Sequence, residues 1–320
     1  MGEFELIRAY LADVGVPRAD VGLDVGDDCA LLRVLPGHEL AVSIDTLVAG
    51  VHFFPDCDPV ALGHKSLAVG LSDLAAMGAE PAWATLALTL PKVDREWLAG
   101  FVRGLDGLAR EHGVRLVGGD TTRGPLTISV QVHGLIPAGE ALRRDGARPG
   151  DLICVSGSLG GAGLALRQLL RGQPPEAALR ARLERPIPRV ALGRALRGLA
   201  SAAIDLSDGL AGDLGHILAA SGVGAMVALD RLPLAPEVAH AVSVGEGDWA
   251  LPLGAGDDYE LCFTLPPERV SLLPALMQQV GCPLARIGVI ETGRCQRWQL
   301  PDGTAWNGRE LGFDHFASES

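Results

Sequence analysis

Several aspartates of this sequence stand directly beside apolar runs or glycines. They occur in the segments 25–32, 41–47, 71–79, 116–124 and 203–210, as Asp27, Asp28, Asp45, Asp73, Asp120, Asp205 and Asp208. The pattern predicts that each lies where an apolar strand or a glycine-rich turn ends, and not on a solvated helix face. A buried carboxylate is strongly destabilising unless it is paired or binds a metal ion. Because few arginines lie near these segments, we expect divalent cations to be their partners.

The donor atoms favour magnesium and a phosphorylated substrate. Mg²⁺ prefers hard oxygen ligands and is usually held by carboxylates together with substrate phosphates and water. Histidine and cysteine are not arranged with these aspartates as a set of zinc ligands would be, which disfavours zinc. Gly118 and Gly119 stand before Asp120 and leave the backbone amides open to the approach of a phosphate. The segments therefore indicate a site for Mg²⁺ and the phosphates of a nucleotide.

Each segment also has a purely structural interpretation. Ser72 and Ser207, beside Asp73 and Asp208, are suitable helix N-caps, and residues 118–120 suit an ordinary turn. Caps and turns do not require carboxylates in apolar surroundings, however. The joint occurrence of five such segments therefore favours the metal-site interpretation.

Two further residues and one glycine-rich run bear on phosphate binding. The planar guanidinium of Arg144 suits a phosphate as well as it suits a surface ion pair. His52 follows Asp45 by a few residues, although a lone histidine is more often structural. The run 157–163 follows a strand and opens a helix, but it does not match G-x-G-x-x-G. We interpret that run as close packing of a helix on a sheet.

Composition excludes several classes of protein. A net charge of −12 over 320 residues argues against a basic surface for nucleic acid or anionic lipid. The only lysines are Lys65 and Lys92, and the P-loop pattern is absent. The N-terminus does not resemble a secretory signal, and no apolar stretch approaches the roughly 18 residues of a membrane helix. The six cysteines are scattered, so we expect reduced core residues in a cytoplasmic protein.

The elements that must position these aspartates form a mixed α and β pattern. Strands are predicted at 40–44, 114–117, 126–132, 152–155, 202–204, 223–229 and 260–265, and helices at about 59–77 and 94–112. In 126–132 the apolar residues alternate strictly with Thr127, Ser129 and Gln131, as in a strand with one buried face. Turn-rich segments at 136–139 and 148–151 predict two domains, 1–138 and 149–320.

Taken together, the segments closely resemble the thiamine-monophosphate kinase family. This family belongs to the superfamily of aminoimidazole ribonucleotide synthetase and selenophosphate synthetase. The resemblance runs through residues 26–32, 45–50, 71–79, 118–125, 204–210 and 258–261, in this order, and covers most of the chain. It implies an α/β (mixed α+β) synthetase-like fold whose N-terminal domain pairs its sheet with a twin in a homodimer. ATP and several Mg²⁺ ions would bind between that domain and a C-terminal α/β domain, and thiamine monophosphate would be phosphorylated.

By position, the resemblance assigns roles to particular residues. The implied metal ligands are Asp28, Ser43, Ile44 (through its backbone), Asp45, Asp73, Asp120, Asp205 and Asp208, of which Asp45, Asp120 and Asp208 are expected to be catalytic; the implied ATP contacts are Gly119, Asp120, Arg144 and Ser207; the implied substrate contacts are His52, Asp257 and Phe313. The family commonly has Glu at position 257 and a different aromatic residue can stand at 313. An aromatic face at 313 suits a thiazolium cation.

Three other functions remain open from the sequence. A different member of the superfamily would use ATP to activate a carbonyl group or selenide. A regulator would bind ATP and Mg²⁺ without turnover. A metal-dependent phosphatase is disfavoured, because nothing in the sequence positions a water nucleophile.

Overall fold

The computed structural model describes residues 2–244 and 249–306 and divides into two compact units. The first unit comprises Met1–Leu74 and Ala79–Ala141, and the second comprises Ala75–Gly78 and Leu142–Ser320. The chain thus enters the second unit for four residues at 75–78 and passes to it finally at 141–142.

The first unit is a four-stranded sheet with two long helices. Its elements are α1 (Glu3–Leu6), a short π-helix (Ile7–Leu11), β1 (Val21–Leu23), β2 (Leu31–Leu32), β3 (His38–Val48), α2 (Pro59–Ala76), β4 (Glu80–Leu90), α3 (Arg95–Glu111), β5 (Arg115–Arg123) and β6 (Thr127–Pro137). The strand order is β3-β6-β4-β5, with β4 and β5 parallel and the other pairs antiparallel. In β6, Ile128, Val130 and Val132 are buried while the polar residues between them are partly exposed, which confirms the predicted alternation.

The two long helices approach each other closely through glycines. A methyl group on Gly63 of α2 would lie 1.9 Å from the carbonyl oxygen of Phe101, and one on Gly104 of α3 would lie 1.9 Å from that of Val60. These two glycines therefore fix the distance between α2 and α3.

The side chain of Asp94 accepts hydrogen bonds from the backbone amides of Glu96 and Trp97 and so caps α3.

We expect Gly104→Ala to destabilise the first unit by about 1–3 kcal/mol, because the added methyl must push two backbones apart. Gly107 lies in the same helix, and a methyl there would meet no atom within 4 Å. Gly107→Ala should therefore stabilise by about 0.5–1 kcal/mol through helix propensity alone. Urea unfolding of both variants measures the difference. Equal changes in the two variants would contradict the close approach.

The second unit is built on a mixed sheet. Its elements are β7 (Leu152–Ser156), α4 (Gly161–Leu170), α5 (Ala177–Glu184), α6 (Val190–Leu196), β8 (Ala202–Asp205), α7 (Leu210–Ser221), β9 (Gly224–Ala228), a 3₁₀ turn (Leu229–Arg231), α8 (Pro236–Ser243), α9 (Ala250–Gly254), β10 (Leu261–Leu265), a second 3₁₀ turn (Pro267–Leu272), α10 (Leu273–Val280), β11 (Leu284–Glu291), β12 (Gln296–Gln299) and β13 (Ala305–Trp306). Within the described residues the order is β13-β12-β9-β11-β7-β10-β8, antiparallel except for β12 and β9. One face of α7, including Leu214 and Ile217, joins the core of this sheet.

The predicted mixed α/β class is confirmed, but two strand limits were wrong. β3 continues past Asp45 to Val48, and β5 continues past Asp120 to Arg123. Both aspartates thus lie inside strands and not at their ends, and residues 118–120 are not a turn. Ser72 and Asp73 lie near the end of α2, so the N-cap interpretation of Ser72 was also wrong.

The cysteine and membrane expectations have mixed outcomes. Cys154, Cys262 and Cys282 are buried, as expected, whereas Cys29 and Cys295 are exposed. In the described ranges, none of the helices has both the length and the apolar character needed to cross a bilayer.

Candidate functional site

In the first unit, β3 and α2 bring two carboxylates and a hydroxyl together. Ser43 and Asp45 are two residues apart in β3 and therefore share a face of the sheet. The hydroxyl of Ser43 donates a hydrogen bond to Oδ2 of Asp73 in α2. A methyl group on Gly70 of α2 would lie 3.5 Å from Oδ2 of Asp45, so the helix passes close to this carboxylate. The predicted ligands Ser43, Asp45 and Asp73 are thus brought together.

Asp45 carries the clearest sign of a missing partner. Its Oδ2 atom is buried and accepts no hydrogen bond within the described part of the chain. Burial, followed by the nearby charge of Asp73, raises the pKa of Asp45 to about 6. A cation beside these oxygens would supply the missing partner and offset the repulsion between the two carboxylates.

The other predicted ligands of the first unit lie elsewhere. Asp28 is exposed in the turn between β1 and β2, where its amide donates to Oδ1 of Asp27. Asp120 is exposed in β5, at the opposite edge of the sheet from Asp45 in β3. Three inter-strand spacings, roughly 14 Å, separate these edges. Asp45 and Asp120 therefore lie on the two edge strands of one sheet, although both follow from the same sequence argument.

Three further residues of the first unit were predicted to contact ATP, a metal ion or the substrate. The register aligns Gly119 with Leu86, and a methyl on Gly119 would lie 1.9 Å from the oxygen of that residue, so only glycine fits. Ile44 is 63% exposed, and its backbone pairs with Gln131. Nδ1 of His52 accepts a hydrogen bond from the amide of Val48 at 3.0 Å, which orients the imidazole ring.

In the second unit, a separate acidic group forms at the end of β8. Asp205 is the last residue of that strand, as predicted, and is buried. The amide of Asp208 donates a 3.1 Å hydrogen bond to Oδ2 of Asp213 in α7. Burial, followed by the charges of Asp205 and Asp208, raises the pKa of Asp213 to about 8. Helix α7 begins after Gly209 without a side-chain cap, so Ser207 and Asp208 are not capping residues.

Asp213 was missed by the sequence interpretation. It lies one helical turn into α7, between Ala211 and Leu214, which are both buried. The signal was the same as for the other segments, an acid among apolar residues, but its position inside a helix hid it.

Residues 256–260, which we call the left-handed segment because several of them have positive φ angles, lie against this acidic group. Asp257 and Tyr259 have φ angles of 60° and 48°, and they are the non-glycine residues with positive φ in the described ranges. Such conformations cost about 1–3 kcal/mol each and persist only when the surroundings hold them. The amide of Asp257 donates to the carbonyl of Ser207, and that of Tyr259 to Leu206, each at 2.8 Å. The predicted residues Asp205, Ser207, Asp208 and Asp257 are therefore gathered in one place.

The remaining predictions concern Arg144, the run 157–163 and Phe313. The side chain of Arg144 is exposed, and its carbonyl oxygen accepts a 2.8 Å hydrogen bond from the hydroxyl of Ser221. The run 157–163 packs closely, but the contact of Gly163 is with a helix end and not with the sheet: a methyl on Gly163 would lie 2.1 Å from Cβ of Ala255, which directly follows α9. Phe313 lies outside the described residues.

The donors present fit magnesium better than a transition metal. The side chains of Ser43, Asp45, Asp73, Asp205 and Asp208 offer oxygen atoms only. In residues 2–244 and 249–306, no group of three or more His, Cys, Asp or Glu side chains is arranged to hold a metal ion. Pairs of carboxylates suffice for Mg²⁺ when phosphates and water complete its coordination. The orphaned oxygen of Asp45 is the observation that favours an ion.

Comparison with known proteins gives full-length matches. The chain matches the models of the AIR synthase related protein, N-terminal domain, over residues 26–136 and C-terminal domain over residues 148–297. It is 50% identical over 327 residues to a thiamine-monophosphate kinase of Salmonella typhimurium, and the match covers 99% of each chain. The crystal structure of thiamine-monophosphate kinase from Stenotrophomonas maltophilia K279a superposes with a TM-score of 0.85 at 45% identity, covering 94% of this chain and 96% of that one. A structure of AaThiL complexed with AMPPCP and TMP gives a TM-score of 0.79 at 31% identity, covering 88% and 89%.

Proposed function

The chain belongs to the thiamine-monophosphate kinase family of AIR synthase related proteins, and we propose that it transfers the γ-phosphoryl group of ATP to thiamine monophosphate. The products are thiamine diphosphate and ADP. The observation that carries this proposal is the 50% identity over 99% of both chains, because a shared fold alone does not assign a function. The AaThiL structure, which holds AMPPCP and TMP, supports both substrates.

We propose direct in-line transfer without a covalent enzyme intermediate. An oxygen of the thiamine monophosphate phosphate attacks the γ-phosphorus, and the bond from that phosphorus to the bridging oxygen of ADP breaks. The attacking oxygen is already anionic, so no general base is needed, and catalysis consists of positioning and charge stabilisation. Bound Mg²⁺ ions supply positive charge that offsets the charge of the phosphates.

The residues of each unit have proposed roles in this reaction. Ser43, Asp45 and Asp73 hold Mg²⁺ in the first unit, with Asp28, Asp120 and the backbone of Ile44 as further ligands; Asp205 and Asp208 do so in the second unit; Gly119, Asp120, Arg144 and Ser207 contact ATP; and His52, Asp257 and Phe313 contact thiamine monophosphate. The negatively charged carboxylate oxygens bind the cations, and Gly119, which has no side chain, lets a phosphate approach the backbone there.

We further propose that the chain forms a homodimer in which the sheets of the two first units pair. Strand β3 lies at the edge of its sheet, and its residues Leu40, Val42 and Ile44 are 44%, 51% and 63% exposed. A row of exposed apolar residues on an edge strand favours a partner surface. Sedimentation equilibrium at micromolar concentration tests this, and a mass of one chain would contradict it.

Incubation with ATP, Mg²⁺ and thiamine monophosphate tests the reaction. We expect thiamine diphosphate and ADP in equal amounts, no product with thiamine as acceptor, and no turnover with excess EDTA. ATP binding without ADP release would instead indicate a regulator. ADP release with an aminoimidazole precursor or selenide, but not with thiamine monophosphate, would indicate another synthetase of the superfamily.

A further inference from the structure

The second unit contains a buried ion pair to which no role has yet been assigned. Nε and Nη2 of Arg189 donate to the two carboxylate oxygens of Glu260 at 2.7 and 2.6 Å. The side chains of Arg189 and Glu260 are only 19% and 4% exposed. The hydroxyl of Ser156, at the end of β7, also donates to Glu260 at 2.5 Å and accepts from the amide of Leu261 at 2.9 Å. The carboxylate of Glu260 therefore accepts three hydrogen bonds, two from Arg189 and one from Ser156.

This ion pair adjoins the left-handed segment. Glu260 directly follows Tyr259, and its carbonyl oxygen accepts a 2.8 Å hydrogen bond from the amide of Leu206. The preceding residue of the segment, Asp258, accepts the amide of Gly160 at 2.8 Å. A methyl group on Gly157 would lie 1.8 Å from Oε1 of Glu260, so the chain leaves room for this carboxylate only by having glycine there. The backbone at Gly157 thus packs directly against the carboxylate of Glu260.

We propose that Arg189 and Glu260 are positioning residues for phosphoryl transfer. Their ion pair fixes the end of the segment Gly256–Glu260, and the segment in turn fixes Asp257 against the carbonyl of Ser207. The inference rests on the proposed function, because it assumes that Asp257 faces thiamine monophosphate. In this proposal both residues of the ion pair act on the reaction through Asp257.

A role in positioning differs from a role in stability in a measurable way. A buried ion pair is often no more stabilising than a hydrophobic pair of similar volume, whereas removal of one partner leaves an uncompensated charge. An apolar pair can restore folding, but it cannot form the directed hydrogen bonds of a guanidinium fork. The double substitution Arg189→Met with Glu260→Met therefore separates the two roles.

We expect the double variant to unfold at nearly the wild-type urea midpoint, while kcat/KM for thiamine monophosphate falls by about 100-fold, the loss typical of a displacement near 1 Å. Amide hydrogen exchange at Asp257 and Tyr259 should become faster. The matched control replaces Arg297 and Glu291 by Met. This pair in the same unit also forms close contacts, at 2.6 and 2.7 Å, but its side chains are more exposed, 61% for Arg297 and 30% for Glu291. The control should leave kcat/KM and both exchange rates unchanged.

Wild-type kcat/KM and wild-type exchange in the double variant would overturn the inference. If the double variant does not fold, Arg189→Lys decides, because it keeps the charge and loses the fork. A raised KM for thiamine monophosphate with faster exchange at Asp257 supports positioning, and unchanged values contradict it. Wild-type turnover tests the proposed function separately. Should wild-type protein not phosphorylate thiamine monophosphate, the proposed function fails, while the exchange rates still report whether the ion pair fixes the segment.

Discussion

Asp45→Asn is expected to lower the turnover of phosphoryl transfer by about three orders of magnitude, which corresponds to about 4 kcal/mol of transition-state stabilisation. The amide keeps the shape of the side chain but loses the negative charge that attracts a cation. Among the described residues, Oδ2 of Asp45 is buried without a hydrogen-bond partner, so its charge is not offset by a protein donor at that atom. Steady-state kinetics at saturating ATP and Mg²⁺ measures the loss.

The same substitution should not weaken the fold. In the absence of metal ions, burial and the charge of Asp73 already disfavour the ionised form of Asp45, as its pKa of about 6 shows. A neutral amide avoids that penalty, so the free energy of unfolding at pH 7.5 in EDTA should rise by about 1–3 kcal/mol. Lower activity with higher stability is the signature of a residue retained for ligand binding.

Two matched variants sharpen this test. Asp94→Asn makes the same chemical change at the cap of α3, where Asn serves as well as Asp, and should leave both activity and stability unchanged. Asp120→Asn should lower turnover but leave the unfolding free energy unchanged, because Asp120 is exposed in β5. Near-normal turnover of Asp45→Asn would show that the metal assignment is wrong.

Sequence patterns located most of the elements that present these residues. β6 was recognised because its buried and wet faces alternate strictly. α3 could be recognised because its buried residues, such as Leu98, Phe101 and Leu105, recur at helical spacing. α2 is buried on nearly all sides and shows no such periodicity. β4 was missed, since residues such as Ala82, Trp83 and Ala84 are buried on both of its faces and leave no alternation.

The limits of β3 and β5 show why the site was harder to predict than the fold. A polar residue after an apolar run suggests the end of a strand, yet Asp45 and Asp120 continue their strands because the ladder involves only the backbone. The sequence also does not give the strand order, so the distance between Asp45 and Asp120 was not predictable. The Arg189–Glu260 pair joins residues 71 positions apart, for which single-sequence patterns carry no signal.

Asp213 carries the second large prediction, which concerns stability as a function of pH. Its pKa in the folded chain is raised to about 8, above the value in the unfolded chain. Between these two values the folded state binds one more proton than the unfolded state, so stability falls as pH rises. Asp258 and Asp45, with pKa values of about 7 and 6, act in the same sense at lower pH. Burial lowers the pKa of His112 and His133, which has the opposite effect below about pH 7.

In the interval from pH 7 to 8 Asp213 therefore makes the largest contribution to the change in stability, and Asp258 makes a smaller one. In EDTA, we expect the free energy of unfolding to fall by about 1 kcal/mol over this interval, close to the limit of 1.4 kcal/mol per pH unit for one proton. Asp213→Asn should abolish most of this slope, whereas Asp145→Asn, at an exposed residue with a lowered pKa, should keep it. Urea unfolding at closely spaced pH values measures the slope in wild type and in both variants.

Because Mg²⁺ competes with protons for carboxylates, added Mg²⁺ should stabilise wild-type protein more at pH 8 than at pH 6. A slope that is flat in wild type, or unchanged in Asp213→Asn, would mean that Asp205, Asp208 and Asp213 do not form one electrostatic group in solution.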